Sequence, residues 1–230
     1  MELGGSDVFV VLDDADIAKA VKEGVSARLV NAGQACVSAK RFIVHRNVAD
    51  SFIDAFVAGM KSTPMGDPMA QETVLGPVAS LEALLGLSRQ VEEAVRNGAQ
   101  VLTGGKRADR TGYFYEPTVL TGITKENPAY SQEFFGPVAQ IYIVDDDDAV
   151  VELANDSPFG LGGSIFSTNI KRARLLASRI ETGMVFVNTS TTSRPELPFG
   201  GIKRSGYGRE LGEFGLKEFV NQKLVVVAKV

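Results

Sequence analysis

A single cysteine, Cys36, stands in the stretch Asn31-Ala32-Gly33-Gln34-Ala35-Cys36 of this 230-residue chain. Free cysteine is often no more than a small buried hydrophobe, and that reading stands beside a reactive one. Gly33 permits a tight backbone turn, and the polar Gln34 interrupts the apolar pattern just before the thiol. A cysteine on a turn after a helix can sit in a cleft with backbone N–H groups aimed at it. Such a site lowers a thiol pKa and stabilises an oxyanion on whatever the sulfur attacks. Lys40 and Arg41 would add positive charge nearby, or would simply flank a strand. A covalent reaction also needs a base. Glu2, in Glu2-Leu3-Gly4-Gly5, is either a solvated surface charge or a carboxylate able to activate water for the second half of the reaction. Gly4-Gly5 marks a close backbone approach, to a ligand or to another segment.

Two further segments carry side chains of interest. Ser131-Gln132-Glu133-Phe134-Phe135-Gly136-Pro137 sets an acid beside two aromatics and a Gly-Pro turn. It reads as a loop plug over the core, or as a ligand edge in which Glu133 accepts from sugar hydroxyls and an aromatic bounds a flat ring. Pro198 to Glu210 is rich in glycine, with Thr192-Ser193-Arg194 just ahead of it. It is either a surface loop that needs glycine for its turns or the wall of a pocket. His45 falls at a strand end and reads as a solvated side chain, with a Cys36–His45 dyad as the alternative.

These residues need a frame, and the hydrophobic pattern supplies one. Val8 to Leu12 is a continuous apolar run, suited to a strand buried on both faces. Asp13-Asp14-Ala15-Asp16 opens a helix reaching about Val30, with acids in the first turn favoured by the helix dipole. Strands are predicted over 41–45, 99–102, 137–144, 163–166 and 184–188, and an extended stretch over 113–120. Helices are predicted over 51–60, 81–97, 146–155 and 170–180. Strand and helix alternating at this rate imply an α/β three-layer sandwich with a mainly parallel, open twisted sheet. The chain closes on the apolar run Leu224 to Val230, a terminal strand in need of an edge to pair with. A neighbouring copy is the expected donor.

Composition excludes several classes of function. Net charge is −4, which argues against a nucleic-acid surface. No apolar run suffices to span a bilayer, and the first residues show no secretory pattern. One cysteine and one histidine leave disulfide frameworks and multi-ligand metal sites without parts. A cytoplasmic setting with no metal is the expectation.

Taken in order, Glu2-Leu3-Gly4-Gly5, Gly33-Gln34-Ala35-Cys36, Glu133-Phe134-Phe135-Gly136-Pro137 and Pro198-Phe199-Gly200-Gly201 resemble the aldehyde dehydrogenase superfamily. The resemblance runs from Glu2 to about Phe219. It implies that Cys36 is the nucleophile, forming a thiohemiacetal and then a thioester, with its own N–H as an oxyanion donor. It implies that Glu2 activates the hydrolytic water. NAD or NADP is the implied cofactor, with Glu133 on the nicotinamide ribose, Phe135 against the nicotinamide region and the Leu3 backbone by the carboxamide. Phe199 would wall the substrate tunnel. Residues 1–217 would form the catalytic domain and 218–230 an oligomerisation strand through which copies associate. The family's cofactor-binding half, which precedes these segments and carries a second oxyanion donor, is absent from this chain, so the 230 residues alone are expected to show little or no dehydrogenase activity. Met1 to Asp7 and Ser205 to Leu211 are similar to bacterial succinate-semialdehyde dehydrogenase-like members. Arg194 would then pair with the substrate's carboxylate tail, although Val30 sits where some such enzymes place an arginine. A non-catalytic assembly module and a weak thiol esterase are the alternatives.

Overall fold

The computed structural model describes residues 1–229. Its framework is a seven-stranded sheet in the order β3-β4-β5-β2-β1-β7-β8. The strands are β1 (Val8–Val11), β2 (Arg41–His45), β3 (Gln100–Thr103), β4 (Thr118–Thr121), β5 (Val138–Val144), β7 (Gly163–Phe166) and β8 (Phe186–Val187). All neighbouring pairs are parallel except β3 with β4. A two-stranded ribbon, β6 (Phe159–Gly160) with β9 (Ile202–Lys203), stands apart. The helices are α1 (Ile17–Leu29), α2 (Arg46–Lys61), α3 (Leu81–Arg96), α4 (Asp147–Asn155), α5 (Ile170–Ala177) and α6 (Gly212–Lys217).

Burial explains the central strands. Every residue of β1, β2 and β7 is buried, as parallel strands covered on both faces must be. One face packs against α1 and α2 through Phe9, Phe42, Phe52, Phe56 and Phe166. The Phe9 and Phe166 ring centroids lie 4.5 Å apart, and those of Phe42 and Phe56 4.6 Å apart. Each such side chain contributes about 1.5–3 kcal/mol on burial. Gly24 lets α1 close onto this cluster, since a Cβ there would stand 3.1 Å from the Phe42 ring. The other face is covered by α3, α4 and α5 through Leu84, Leu87, Val91, Val150 and Leu176.

Helix ends differ from the sequence expectation for local reasons. α1 begins at Ile17 rather than Asp13, because Asp16 is the cap and accepts the Lys19 N–H at 3.0 Å. Asp13 and Asp14 are engaged elsewhere, by Arg172 and Ser167. α2 starts at Arg46, directly after β2, and α5 stops at Ala177. The ribbon and α6 were not anticipated. Residues 221–229 form no ladder with any described residue, and Leu224 and Val227 are 86% and 88% exposed. Val230 lies outside the described residues.

Of the four segments singled out in the sequence, Pro198–Glu210 holds β9 of the ribbon, and the other three lead into strands of the main sheet: Glu2–Gly5 precede β1, Cys36 precedes β2, and Glu133–Pro137 precede β5. These three gather at the amino ends of the parallel strands, opposite to the carboxyl-end crevice common in open α/β sheets.

Candidate active site

The Cys36 turn is built on left-handed backbone. After α1, Asn31, Ala32 and Gly33 have φ of 51°, 56° and 73°. The first two cost about 1–2 kcal/mol each and are held by local bonds. Asn31 Nδ2 donates to the Gln34 carbonyl at 3.0 Å, and Gln34 Nε2 returns a bond to the Asn31 carbonyl at 3.1 Å. Gln34 Oε1 also accepts the Ala79 N–H at 2.7 Å. Gly33 is required by packing as well as by φ, because a Cβ would meet the Gly136 backbone at 2.3 Å. The nucleophile turn is therefore pressed against the Glu133–Pro137 loop.

Glu2 is placed from the opposite side of the chain. Leu3 N–H donates to the Ser205 carbonyl at 3.0 Å and Tyr207 N–H to the Met1 carbonyl at 3.2 Å, so the glycine-rich loop clamps the first residues. Glu2 Oε1 accepts the Gly4 N–H at 2.9 Å. Gly5 abuts the Cys36 carbonyl, where a Cβ would stand at 3.0 Å. Glu133 joins the same cluster: its Oε1 accepts the Gly5 N–H at 3.2 Å and meets Lys40 Nζ at 3.0 Å. Its Oε2 overlies Gly4, 2.6 Å from where a Cβ would be. Thus Cys36, Glu2 and Glu133 are brought together. Leu3 is exposed beside them, and Phe135, 48% exposed, lines a cavity of about 480 Å³ with Leu87, Arg89 and Gln90.

The electrostatics correct one expectation. The Cys36 thiol is not lowered but pushed up to about 11, by its burial and then by the Glu2 carboxylate. The Val37 N–H and the Lys40 ammonium pull the other way and are outweighed. Asp7, at the floor of the site, is raised to about 6 by burial despite Lys40 and Arg41. Its Oδ1 accepts the Gly162 N–H at 3.0 Å, while Oδ2 has no partner among the described residues.

Other predicted residues fall differently. Arg194 and Phe199 line one cavity of about 200 Å³ with Met184, Phe186 and Thr192, and Cys36 and Glu2 are not part of its lining. Phe199 is buried, with its backbone paired to Glu210. Arg41 does not serve the thiol. Its guanidinium donates to the carbonyls of Ser6, Leu153 and Ala154, the last two at the end of α4. His45 is neither solvated nor a dyad partner. It is buried at the far end of β2 from Cys36, where its Nδ1 accepts the Asn47 N–H and caps α2. Sequence reasoning missed the buried charges Asp7 and Arg28 and left Lys40 as a possible strand flank. Their signal was an ionisable residue in or beside an otherwise apolar element.

Comparison with known proteins agrees with this geometry. The chain matches the model of the aldehyde dehydrogenase family over residues 1–225. The chain belongs to the aldehyde dehydrogenase family. It is 47% identical over 228 residues to a succinate-semialdehyde dehydrogenase [NADP(+)] of Mycobacterium leprae, covering 99% of this chain and 50% of that protein. It is 48% identical over 225 residues to the enzyme of the same name from Deinococcus radiodurans, covering 98% and 47%. Among solved structures, succinic semialdehyde dehydrogenase of Streptococcus pyogenes in complex with NADP+ superposes with a TM-score of 0.96. The two share 48% identity, over 99% of this chain and 50% of the other. The chain spans about half the length of the curated relatives it matches. Of the two residues that the resemblance assigns to the cofactor by side chain, Glu133 has Oε1 engaged by Lys40 and the Gly5 N–H, and Phe135 is about half exposed. Among the described residues no helix is long and apolar enough to cross a membrane.

Proposed function

We propose that these residues form the thiol-bearing half of an NAD(P)-dependent aldehyde dehydrogenase, with succinate semialdehyde as substrate. The observation that carries the reading is the convergence of Cys36, Glu2 and Glu133 at the amino ends of β1, β2 and β5. Cys36 loses its proton and its sulfur adds to the aldehyde carbon, giving a thiohemiacetal. Bound NAD(P) would supply the hydride acceptor at that carbon, and Cys36 would then carry the acyl group as a thioester. Glu2 then accepts a proton from water, the hydroxide adds, the C–S bond breaks and the acid departs. Glu133 holds the ribose, the Leu3 backbone and Phe135 bound the nicotinamide region, and Phe199 walls the approach. Arg194 offers a bidentate partner for the substrate's carboxylate. The relatives named as NADP(+) enzymes favour NADP over NAD.

The test uses the 230-residue chain and the thiol. Succinate semialdehyde should slow alkylation of Cys36 by iodoacetamide at lower concentration than propanal does, and Arg194→Met should remove that preference. Equal protection by both aldehydes sinks the substrate assignment, and no protection by either sinks Cys36 as the aldehyde's acceptor. The same chain given NADP+ and aldehyde should form little or no NADPH.

A further inference from the structure

Beneath the Cys36 turn lies a cation that the proposed chemistry leaves unused. The Lys40 side chain is wholly buried. Its ammonium donates to the Ala35 carbonyl at 3.1 Å and the Cys36 carbonyl at 2.8 Å, and pairs with Glu133 Oε1 at 3.0 Å. A buried ammonium costs several kcal/mol unless it is fully paired, so these three acceptors are what permits it there. Arg28, also buried, donates Nη2 to the Gly33 carbonyl at 2.7 Å. The carbonyls of residues 33, 35 and 36 are thus all turned inward, toward two cations.

The direction of a carbonyl fixes the direction of the amide attached to it. A trans peptide is planar, with C=O and N–H pointing opposite ways, and the described residues include no cis bond. With the Ala35 carbonyl on Lys40, the Cys36 N–H points away from the cation. With the Cys36 carbonyl on Lys40, the Val37 N–H does the same, and that amide does face the sulfur. We propose that Lys40 is a positioning residue for an oxyanion site: by holding the Ala35 and Cys36 carbonyls, it keeps the Cys36 and Val37 N–H groups turned outward to receive the oxygen of a carbonyl compound under attack by Cys36. This deepens the reading of Cys36 as nucleophile and rests on it.

Two reagents separate the role from mere support of the fold. p-Nitrophenyl acetate acylates the sulfur through an oxyanion: the S–C bond forms, the ester C–O bond breaks, and p-nitrophenolate leaves with the electron pair while the thiol proton goes to solvent. Iodoacetamide alkylates the same sulfur by displacing iodide, with no oxyanion. The ratio of the two rates, measured at one pH and set against glutathione, cancels thiolate fraction and access. The wild-type chain should exceed glutathione in this ratio by about tenfold or more, a fraction of the 10²–10³ that loss of an oxyanion donor costs. Lys40→Met should fall to the glutathione value. If Lys40→Met melts below the assay temperature, Lys40→Met with Glu133→Gln removes the carboxylate left unpaired, and the same fall is expected. A wild-type ratio no higher than that of glutathione, or an unchanged ratio in the variant, overturns the proposal. A Cys36 inert to both reagents overturns the nucleophile itself, a different failure.

Discussion

At the scale of single residues, the resting thiol is held protonated. Burial and the Glu2 carboxylate place Cys36 at about 11, so the thiolate fraction near neutral pH is small and should grow about tenfold per pH unit. Iodoacetamide alkylation of the wild-type chain should therefore climb steadily between pH 7 and 10. Glu2→Gln removes the larger of the two carboxylates that, after burial, raise the thiol, so its profile should shift to lower pH and its rate at pH 8 should exceed the wild type. An unshifted profile would mean that Glu2 does not face the sulfur. Asp7 makes a complementary prediction about stability. Its pKa is about 6 in the fold against an ordinary 3.8, so the folded chain binds this proton more tightly than the unfolded one. The stability it contributes is complete below 3.8 and is lost as pH rises through about 6. At neutral pH, Asp7→Asn relieves a buried charge whose cost is on the order of 2–3 kcal/mol. Its melting temperature relative to wild type should rise as pH goes from 4 to 7, whereas a constant difference would assign the effect to packing.

At the scale of elements, the turn between α1 and β2 decides whether the thiol meets its partners. Gly33→Ala would place a Cβ 2.3 Å from the Gly136 backbone at φ 73°, so it must push apart the two loops that hold Cys36 and Glu133. A loss of more than about 3 kcal/mol in urea unfolding is expected, combining backbone strain with overpacking. Gly98 is the control. It also has positive φ, 103°, but nothing lies within 4 Å of its absent Cβ, so Gly98→Ala should cost only about 1 kcal/mol. Equal losses at the two positions would show that φ alone matters and that the loops do not press together. The elements themselves were largely legible, because hydrophobic period and caps are local signals. β2 and β7 coincide with their predicted bounds, and Ser80 and Asn97 bracket α3 as its pattern suggests. The two-residue strands β6 and β9 and the later start of α1 at Ile17 were not, since short ribbons and engaged acids depend on distant partners such as Arg172. The site was legible as a set of segments through the resemblance. The direction of the Cys36 pKa shift, the turning away of Arg41 and the burial of Lys40 depend on neighbours remote in sequence, and no local pattern encodes them.

At the scale of the whole molecule, one feature sits poorly with an isolated chain. Leu224, Val225, Val226 and Val227 are 86%, 69%, 79% and 88% exposed, and Phe219 is 90% exposed. A continuous run of exposed apolar side chains outside any ladder invites a strand partner, and nothing within the described residues supplies one. We propose that a second copy of the chain does so, as the terminal run suggested from sequence. The folded body does not lean on this segment: the core clusters draw on residues no later than Val187. Assembly and folding should therefore separate cleanly. A chain ended after residue 220 should melt within a few degrees of the 230-residue chain at low concentration, where association is negligible. At high concentration the 230-residue chain should sediment as an oligomer and gain in melting temperature by mass action, while the shortened chain stays monomeric and gains nothing. If the two chains sediment alike at every concentration, the terminal run is not the interface. If the shortened chain melts far below the other in dilute solution, the segment belongs to the fold rather than to assembly.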